Sequence, residues 1–132
     1  MKYICLGYPE NMDDLSESDR EAMLEECLSF NGELLKNGHS DARFVGGEAL
    51  QPANTAVTVS WKDGKVAVTD GPYVETKEGL GGILVLEARD LNHAIQLMSQ
   101  HPAVKYGRTF EIRPVADMAM IIESARRRRK ET

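Results

Sequence analysis

Two periodicities of hydrophobic and polar residues along the chain predict where strands and helices form. Runs that are rich in β-branched or aromatic residues, alternate with a period of two and are bounded by turn formers predict strands. They occur at Lys2–Tyr8, Ala42–Leu50, on both sides of a turn within residues 55–69, at Gly81–Ala88 and at Arg108–Val115. Asp63 and Gly64 have the composition of a tight hairpin turn, and Gly46 with Gly47 predicts a bulge in the second strand.

The first long segment with helical spacing covers about residues 17–37. Its apolar stripe has one odd polar member, Asn31. Ser18 and Glu21, three residues apart, fit a capping box at the start, and Gly38 predicts the end of the helix. This segment is therefore predicted to be an amphipathic helix that packs on a sheet.

Two further helices follow Asp90 and Asp117, which are both good N-cap residues. The order of elements is strand–helix–strand, hairpin, strand–helix–strand and a terminal helix. This order predicts an α+β fold in a single domain over residues 1–132: a ferredoxin-like sandwich with an added β-hairpin and a C-terminal helix. Two helices cover only one face of such a sheet, so we expect a homodimer packed sheet to sheet.

Charge and composition narrow the classes of function. No segment approaches the roughly 20 apolar residues that a membrane span needs. The net charge is −5, and the basic tail 126–132 holds five of the sixteen basic residues, which leaves 11 basic and 20 acidic residues elsewhere. An acidic body argues against nucleic acid as the main partner. The tail is interpreted as a solvated helix end, with contact to phosphate as the alternative.

The cysteines and histidines show no metal-binding spacing. Cys5 and Cys27 are interpreted as buried, reduced thiols, which is typical of a cytoplasmic protein. The glycines near residue 80 lack the spacing of a phosphate loop. We therefore predict neither a metal nor a cofactor.

The stretch "VTDGPYVETKEGLGG", residues 68–82, is dense in turn formers and charges and is the predicted functional loop. Asp70 is interpreted in two ways: as a turn former that bonds the backbone two residues on, or as a general base at the mouth of a cleft. Lys77 is a candidate anchor for an anionic substrate. Glu75, Thr76 and Tyr73 are candidate lining residues, against the alternative of an exposed loop of mixed charge.

His39 follows the predicted end of the first helix. One interpretation is that it interacts with the last carbonyls of that helix. The other is that it pairs with Asp70 or Glu48 in acid–base catalysis.

The run "DGPYVETKEGLGG", together with "GHSDARFVGGEALQP" and "MKYICLGY", resembles the YCII-related family of DGPF type, and the resemblance covers nearly the whole chain. Tyr73 stands where the name-giving phenylalanine usually stands. The resemblance implies a ferredoxin-like fold and a dimeric α+β barrel. Some members are similar to enzymes that use a histidine–aspartate pair, but the first helix here has no histidine. DGPF proteins are also often encoded beside alternative sigma factors, which implies a regulatory role.

Two hypotheses follow. In the first, a small cyclic or anionic molecule binds in a cleft near the 70–82 loop and undergoes proton transfer or elimination, with Asp70 as base, His39 as its partner and Lys77 as anchor. In the second, the protein is a non-catalytic dimer that binds a ligand or takes part in regulation associated with a sigma factor.

Overall fold

The computed structural model describes residues 1–9, 12, 14–36, 42–73 and 79–131. It contains mixed α and β structure with antiparallel sheets. The strands are β1 (Lys2–Tyr8), β2 (Arg43–Ala49), β3 (Val57–Lys62), β4 (Lys65–Asp70), β5 (Gly82–Glu87) and β6 (Thr109–Pro114). The helices are α1 (Glu17–Lys36), α2 (Leu91–Met98), α3 (Pro102–Lys105) and α4 (Met118–Glu131), with a 3-10 turn at Ala53–Thr55.

Four strands form one antiparallel sheet in the order β2–β5–β1–β6. Each predicted strand is present, with ends that agree to within one or two residues. The register of β2 against β5 shifts between Phe44 and Gly46, so the irregularity expected in this strand is confirmed, slightly before the predicted pair of glycines. An extra residue on one strand bends it and increases its twist.

The limits of the three predicted helices are mostly as expected, with an error at the start of α1, and the short helix α3 was not predicted. The amide of Asp19 donates to Ser16 Oγ at 3.0 Å, so Ser16 is the N-cap and the predicted capping box at Ser18 was wrong. The predicted caps of the other two helices are confirmed: Asp90 accepts from the amide of His93 and Asp117 from that of Met120. A side-chain oxygen at this position satisfies an amide that has no partner within the helix.

The core lies between one face of the sheet and the helices. Tyr3, Cys5, Phe44 and Leu86 are buried on this face, and Leu97 of α2 packs against them. Along each strand, the alternate residues point to the other face. There Ile4 and Leu6 of β1 pair with Val85 and Ile83 of β5, and all four are half-buried.

The hairpin of β3 and β4 has its apolar side turned outward. Asp63 and Gly64 have φ angles of 52° and 79°, as a two-residue turn of type I′ requires. Its apolar residues share one face and are 59–72% exposed: Val57, Val59, Trp61, Val66 and Val68. The opposite, more polar face includes half-buried residues such as Thr58 and Ser60, which reverses the usual pattern for a half-buried sheet.

Helix α4 extends from the end of β6 and carries the basic tail. It has no buried residues, and its apolar residues, Met118, Met120, Ile121 and Ile122, are exposed. Among the described residues, no helix is both long and apolar enough to cross a membrane.

Candidate functional site

The structure describes two of the residues that the sequence singled out. Asp70 is the last residue of β4, pairs with Val57 and is exposed. Its carboxylate makes no hydrogen bond or ion pair with a described residue, and it cannot form the expected turn because Pro72, two residues on, has no N–H. Tyr73 is 86% exposed. His39, Glu75, Thr76 and Lys77 lie outside the described residues.

A cleft with a volume of about 390 Å³ lies between α1 and the sheet. We call it the α1–sheet cleft. On the helix side it is lined by residues that include Leu24, Cys27, Leu28 and Asn31, and on the opposite side by residues that include Gly47, Gly82, Phe110, His101 and Arg108. Leu24 and Leu28 are 57% and 64% exposed, so the side of α1 that borders the cleft is left partly uncovered. The cleft is thus a gap between layers with an apolar rim.

Glycines of β2 and β5 line the floor of the cleft, and Gly7 of β1, which pairs with Gly82, lies beside it. A Cβ built on Gly47 would lie 2.7 Å from Leu84 Cδ2, and one built on Gly7 would lie 3.0 Å from Phe110 Cε1. A Cβ built on Gly7 would also lie 3.2 Å from Arg108 Nη1. One built on Gly82, the partner of Gly7 in β5, would lie 3.5 Å from the same atom. The guanidinium of Arg108 therefore lies over two neighbouring glycines, where side chains would compete with it for space.

The end of helix α3 sets the position of Arg108. Gly107 has a φ of 109°, in the region that favours glycine. The amide of Gly107 donates to the carbonyl of Val104, and the amide of Arg108 to that of Ala103. This is a Schellman arrangement, which ends a helix and turns the chain sharply. Arg108 thus leaves the turn directly in front of β6, at the end of the cleft.

Arg108 carries a charge that has no protein partner among the described residues. Its guanidinium makes no hydrogen bond or ion pair with any of them, and its Nε is buried without a hydrogen-bond partner. A buried donor left unpaired costs roughly 1–3 kcal/mol, and more when it is charged. Buried polar groups without a partner are exceptional in folded proteins, and this one belongs to a residue that lines the cleft.

His101 links α3 to α1. Its Nδ1 accepts a hydrogen bond from the amide of Ala103 at 3.2 Å, and its Nε2 lies 3.0 Å from Asn31 Oδ1. With Nδ1 occupied as an acceptor, the neutral ring carries its proton on Nε2 and donates it to Asn31. The rings of Phe30 and Phe110 lie 5.1 and 5.0 Å from the imidazole between ring centroids.

The surroundings of His101 keep it neutral. Burial, and then the positive charge of Arg108, lower its pKa from 6.5 to about 4, because both effects disfavour a charged ring. A neutral imidazole with both nitrogens already engaged has no free lone pair for a general base. It acts as a fixed donor that orients the amide of Asn31.

Cys27 and Glu26 lie on α1 at and beside the cleft. Burial raises the pKa of the Cys27 thiol, which therefore stays protonated and uncharged at neutral pH. Glu26 Oε1 is 3.1 Å from Lys105 Nζ. Hydrogen bonds from Lys105 and then Tyr106 lower the pKa of Glu26. This ion pair joins α1 to α3, next to the His101–Asn31 contact.

Two other grooves differ from the α1–sheet cleft in their lining or their openness. One, of about 590 Å³, is lined by residues that include Tyr8, Pro52, Pro72 and Leu80, with no charged side chain. The other, of about 610 Å³, is an open surface groove between α1 and the start of α3, lined by residues that include Glu33 and Lys105. Neither these grooves nor the α1–sheet cleft is lined by Asp70 or Tyr73. Within the described ranges, no three His, Cys, Asp or Glu side chains are grouped to hold a metal ion.

The sequence signalled part of this cleft without identifying it. Asn31 was the polar residue in an otherwise apolar helical stripe, and it now faces His101. Arg108 was taken as the first residue of a strand, and His101 was considered among the histidines that show no metal-binding spacing. Their meeting with Asn31 depends on the turn at Gly107 and on how α1 lies over the sheet, which single-residue patterns do not show.

Comparison with known protein families identifies one family for most of the chain. The family model described as "YCII-related domain" matches residues 1–119, which include every residue of the cleft. A curated relative, "Uncharacterized protein R00369" of Rhizobium meliloti (strain 1021), is 32% identical over 71 residues. That similarity covers 51% of this chain and 55% of the relative, so the chain matches about half of that protein's length.

Proposed function

The chain belongs to the YCII-related family, and from that premise we propose that it is a small-molecule-binding protein whose ligand occupies the α1–sheet cleft. One observation carries the proposal: α1 leaves a gap of about 390 Å³ above a floor of glycines. This size is typical of small-ligand pockets, which combine apolar walls with a few polar groups. A small ring compound fits such a gap better than an extended chain does.

The geometry supports binding more directly than it supports catalysis in this cleft. His101, the imidazole that lines it, has both ring nitrogens occupied. Cys27 is held as a neutral thiol. The hypothesis of proton transfer or elimination by Asp70 and His39 concerns the 70–82 loop instead and stays a prediction with its own test. The same holds for a regulatory role associated with a sigma factor and for a cytoplasmic location.

We propose that the functional form is a homodimer of ferredoxin-like subunits. The strand order β2–β5–β1–β6, with helices packed on one face, supports the fold. The half-buried apolar residues of the other sheet face and the outward apolar face of the hairpin support a second copy as their cover. A dimeric α+β barrel is one arrangement that covers both surfaces.

A fragment screen followed by NMR tests the proposed cleft. Small ring compounds that bind there are expected to shift the amide resonances of Asn31, Gly47 and Gly82. Leu28→Trp places an indole at the rim and is expected to weaken such binding by about tenfold or more, which is about 1.4 kcal/mol. Ile95→Trp is the matched control, because Ile95 lies on α2, is 45% exposed and does not line the cleft.

The outcomes separate clearly. Hits that shift the three cleft amides and are weakened by Leu28→Trp alone support the proposal. Hits that bind equally well to wild type and Leu28→Trp, or that shift only residues beside Pro72 and Leu80, contradict it and move the site to another groove.

A further inference from the structure

We propose that the ligand of the α1–sheet cleft is a small ring compound with a carboxylate group, bound by the guanidinium of Arg108 and the side-chain amide of Asn31. This inference rests on the proposed function, because it names the class of molecule that the cleft receives.

The first step concerns the charge of Arg108. A guanidinium is always protonated, offers five N–H donors and accepts nothing. Here Arg108 is half-buried and lines the cleft. Its Nε is buried, so the terminal nitrogens are the donors that a ligand in the cleft can reach, and no carboxylate of the described residues forms an ion pair with the group. An anion in the cleft would therefore pair with this charge, and the planar array of guanidinium N–H groups matches the two oxygens of a carboxylate.

The second step concerns Glu48, whose carboxylate would compete for Arg108 if it pointed the same way. Glu48 pairs with Ile83, whereas Gly47 pairs with Leu84 of the core face. Alternate residues of a strand point to opposite faces, so the Glu48 side chain leaves the sheet on the other side. Its carbonyl oxygen, 3.3 Å from a Cβ built on Gly82, is what reaches the floor of the cleft.

The third step concerns Asn31, whose orientation is fixed by its neighbour. Because His101 donates from Nε2, the amide of Asn31 presents Oδ1 to the ring at 3.0 Å. Its NH₂ group is then the end that remains available to the cleft that Asn31 lines. Arg108 and Asn31 thus both offer donors, and the neutral Cys27 thiol adds no negative charge to repel an anion.

The fourth step concerns the rest of the ligand. Leu24 and Leu28 form the rim on one side, and Phe110 with Phe44 lines the interior. These groups have no further charge to offer, so the part of the ligand away from the carboxylate is apolar. The glycine floor allows a flat ring to approach the backbone closely.

The test compares benzoate with benzamide, which has the same shape but no charge, by NMR titration of the full chain. Benzoate is expected to shift the cleft amides with a Kd on the order of 1 mM. Benzamide is expected to bind at least about tenfold more weakly. The Arg108 Nε–H resonance belongs to the guanidinium that makes the proposed contact and is expected to move with benzoate.

Four variants complete the design. Arg108→Gln is expected to weaken benzoate by about tenfold or more and to leave benzamide unchanged, and Arg108→Lys to recover only part of the loss because lysine lacks the planar array of N–H groups. Arg113→Gln removes an exposed arginine of β6 outside the cleft and serves as the control. Asn31→Asp keeps an oxygen toward His101 but replaces the NH₂ donors with a negative charge, and is expected to abolish benzoate binding.

Equal affinity for benzoate and benzamide, or unchanged benzoate affinity in Arg108→Gln, overturns the carboxylate. So does the absence of any cleft shift at about 50 mM benzoate, roughly fifty times the expected Kd. These results would leave the proposed function, ligand binding in the cleft, in place if neutral fragments still bind there and Leu28→Trp still blocks them. Failure of all fragments in the cleft is the separate result that removes the proposed function.

Discussion

His101 Nε2 and Asn31 Oδ1 lie 3.0 Å apart, and this contact joins the N-terminus of α3 to the C-terminal half of α1. One hydrogen bond thus connects three features: the cap of a short helix, the orientation of an amide in the cleft and the neutral state of a buried ring. The residues that position Arg108 and those that position Asn31 belong to the same unit, since α3 leads through Gly107 to Arg108.

Acid is expected to destabilise the protein through His101. Its folded pKa of about 4 lies below the ordinary 6.5, so between these values the unfolded chain binds the extra proton. The contribution to stability is complete above pH 6.5 and is lost as the pH falls toward 4, by at most about 3 kcal/mol. Urea unfolding between pH 4 and 7 measures it.

His101→Asn is the matched variant for this measurement. Asparagine still caps the Ala103 amide but does not titrate, so the stability difference from wild type is expected to shrink as the pH falls from 6.5 to 4. A difference that stays constant over this range would show that the ring titrates normally in the folded protein.

Gly7→Ala is expected to disturb the cleft beside its floor. The new methyl group would lie 3.0 Å from Phe110 Cε1 and 3.2 Å from Arg108 Nη1, so both side chains must move by a few tenths of an ångström. We expect a loss of about 1–2 kcal/mol in thermal or urea unfolding and a displaced Arg108 Nε–H resonance. At Gly46, where nothing lies within 4 Å of a built Cβ, alanine is expected to change the free energy of unfolding by less than about 0.5 kcal/mol.

Trp61→Lys tests the homodimer. Trp61 is 72% exposed within one chain, so replacing it costs the isolated subunit little. If a second copy covers the apolar hairpin face, lysine there buries a charge and is expected to shift the sedimentation profile from dimer to monomer. Thr69→Lys, on the other face of the hairpin, is the control. A wild-type protein that sediments as a monomer at about 100 μM, where contacts of micromolar affinity are formed, would refute the dimer.

Asp70→Asn tests whether a role of the 70–82 loop is independent of ligand binding in the α1–sheet cleft. The carboxylate is exposed and has no described partner, so we expect a change in unfolding free energy within about 0.5 kcal/mol and unchanged benzoate binding in the cleft. If the protein has an activity that depends on Asp70 as a base, this variant removes the turnover while binding and dimer remain. A tenfold loss of benzoate affinity would contradict the separation of the two regions.

Local patterns predicted most of the secondary structure because each element carries its own signals. The Asp63-Gly64 turn, the β-branched arms of the hairpin and the cap at Asp90 all depend on residues close together in sequence. The cap of α1 was misplaced by two residues because Ser16 and Ser18 are both good N-caps, and only the backbone distinguishes them. Two serines this close in sequence predict the N-cap of a helix about equally well.

The candidate site was much less predictable. Charge and glycine density favoured residues 68–82 as the site. There Asp70 and Tyr73 are exposed, whereas Glu75, Thr76 and Lys77 lie outside the described residues. His39, from a different segment, lies outside them too. Arg108 and Asn31 are 77 positions apart in sequence and line the same cleft only after α1 has packed over β2 and α3 has turned into β6. Their relation is tertiary, and a single sequence offers no local signal for it.

Gly107 gives the cleft a determinant of selectivity that need not touch a ligand. Its φ of 109° is costly for any residue with a side chain, at roughly 1–3 kcal/mol. Relaxing that angle would swing the chain that follows and redirect the charge of Arg108 without altering a single lining residue. A glycine outside the cleft is therefore a point at which the proposed preference for anionic over neutral molecules is open to change, in nature or by engineering.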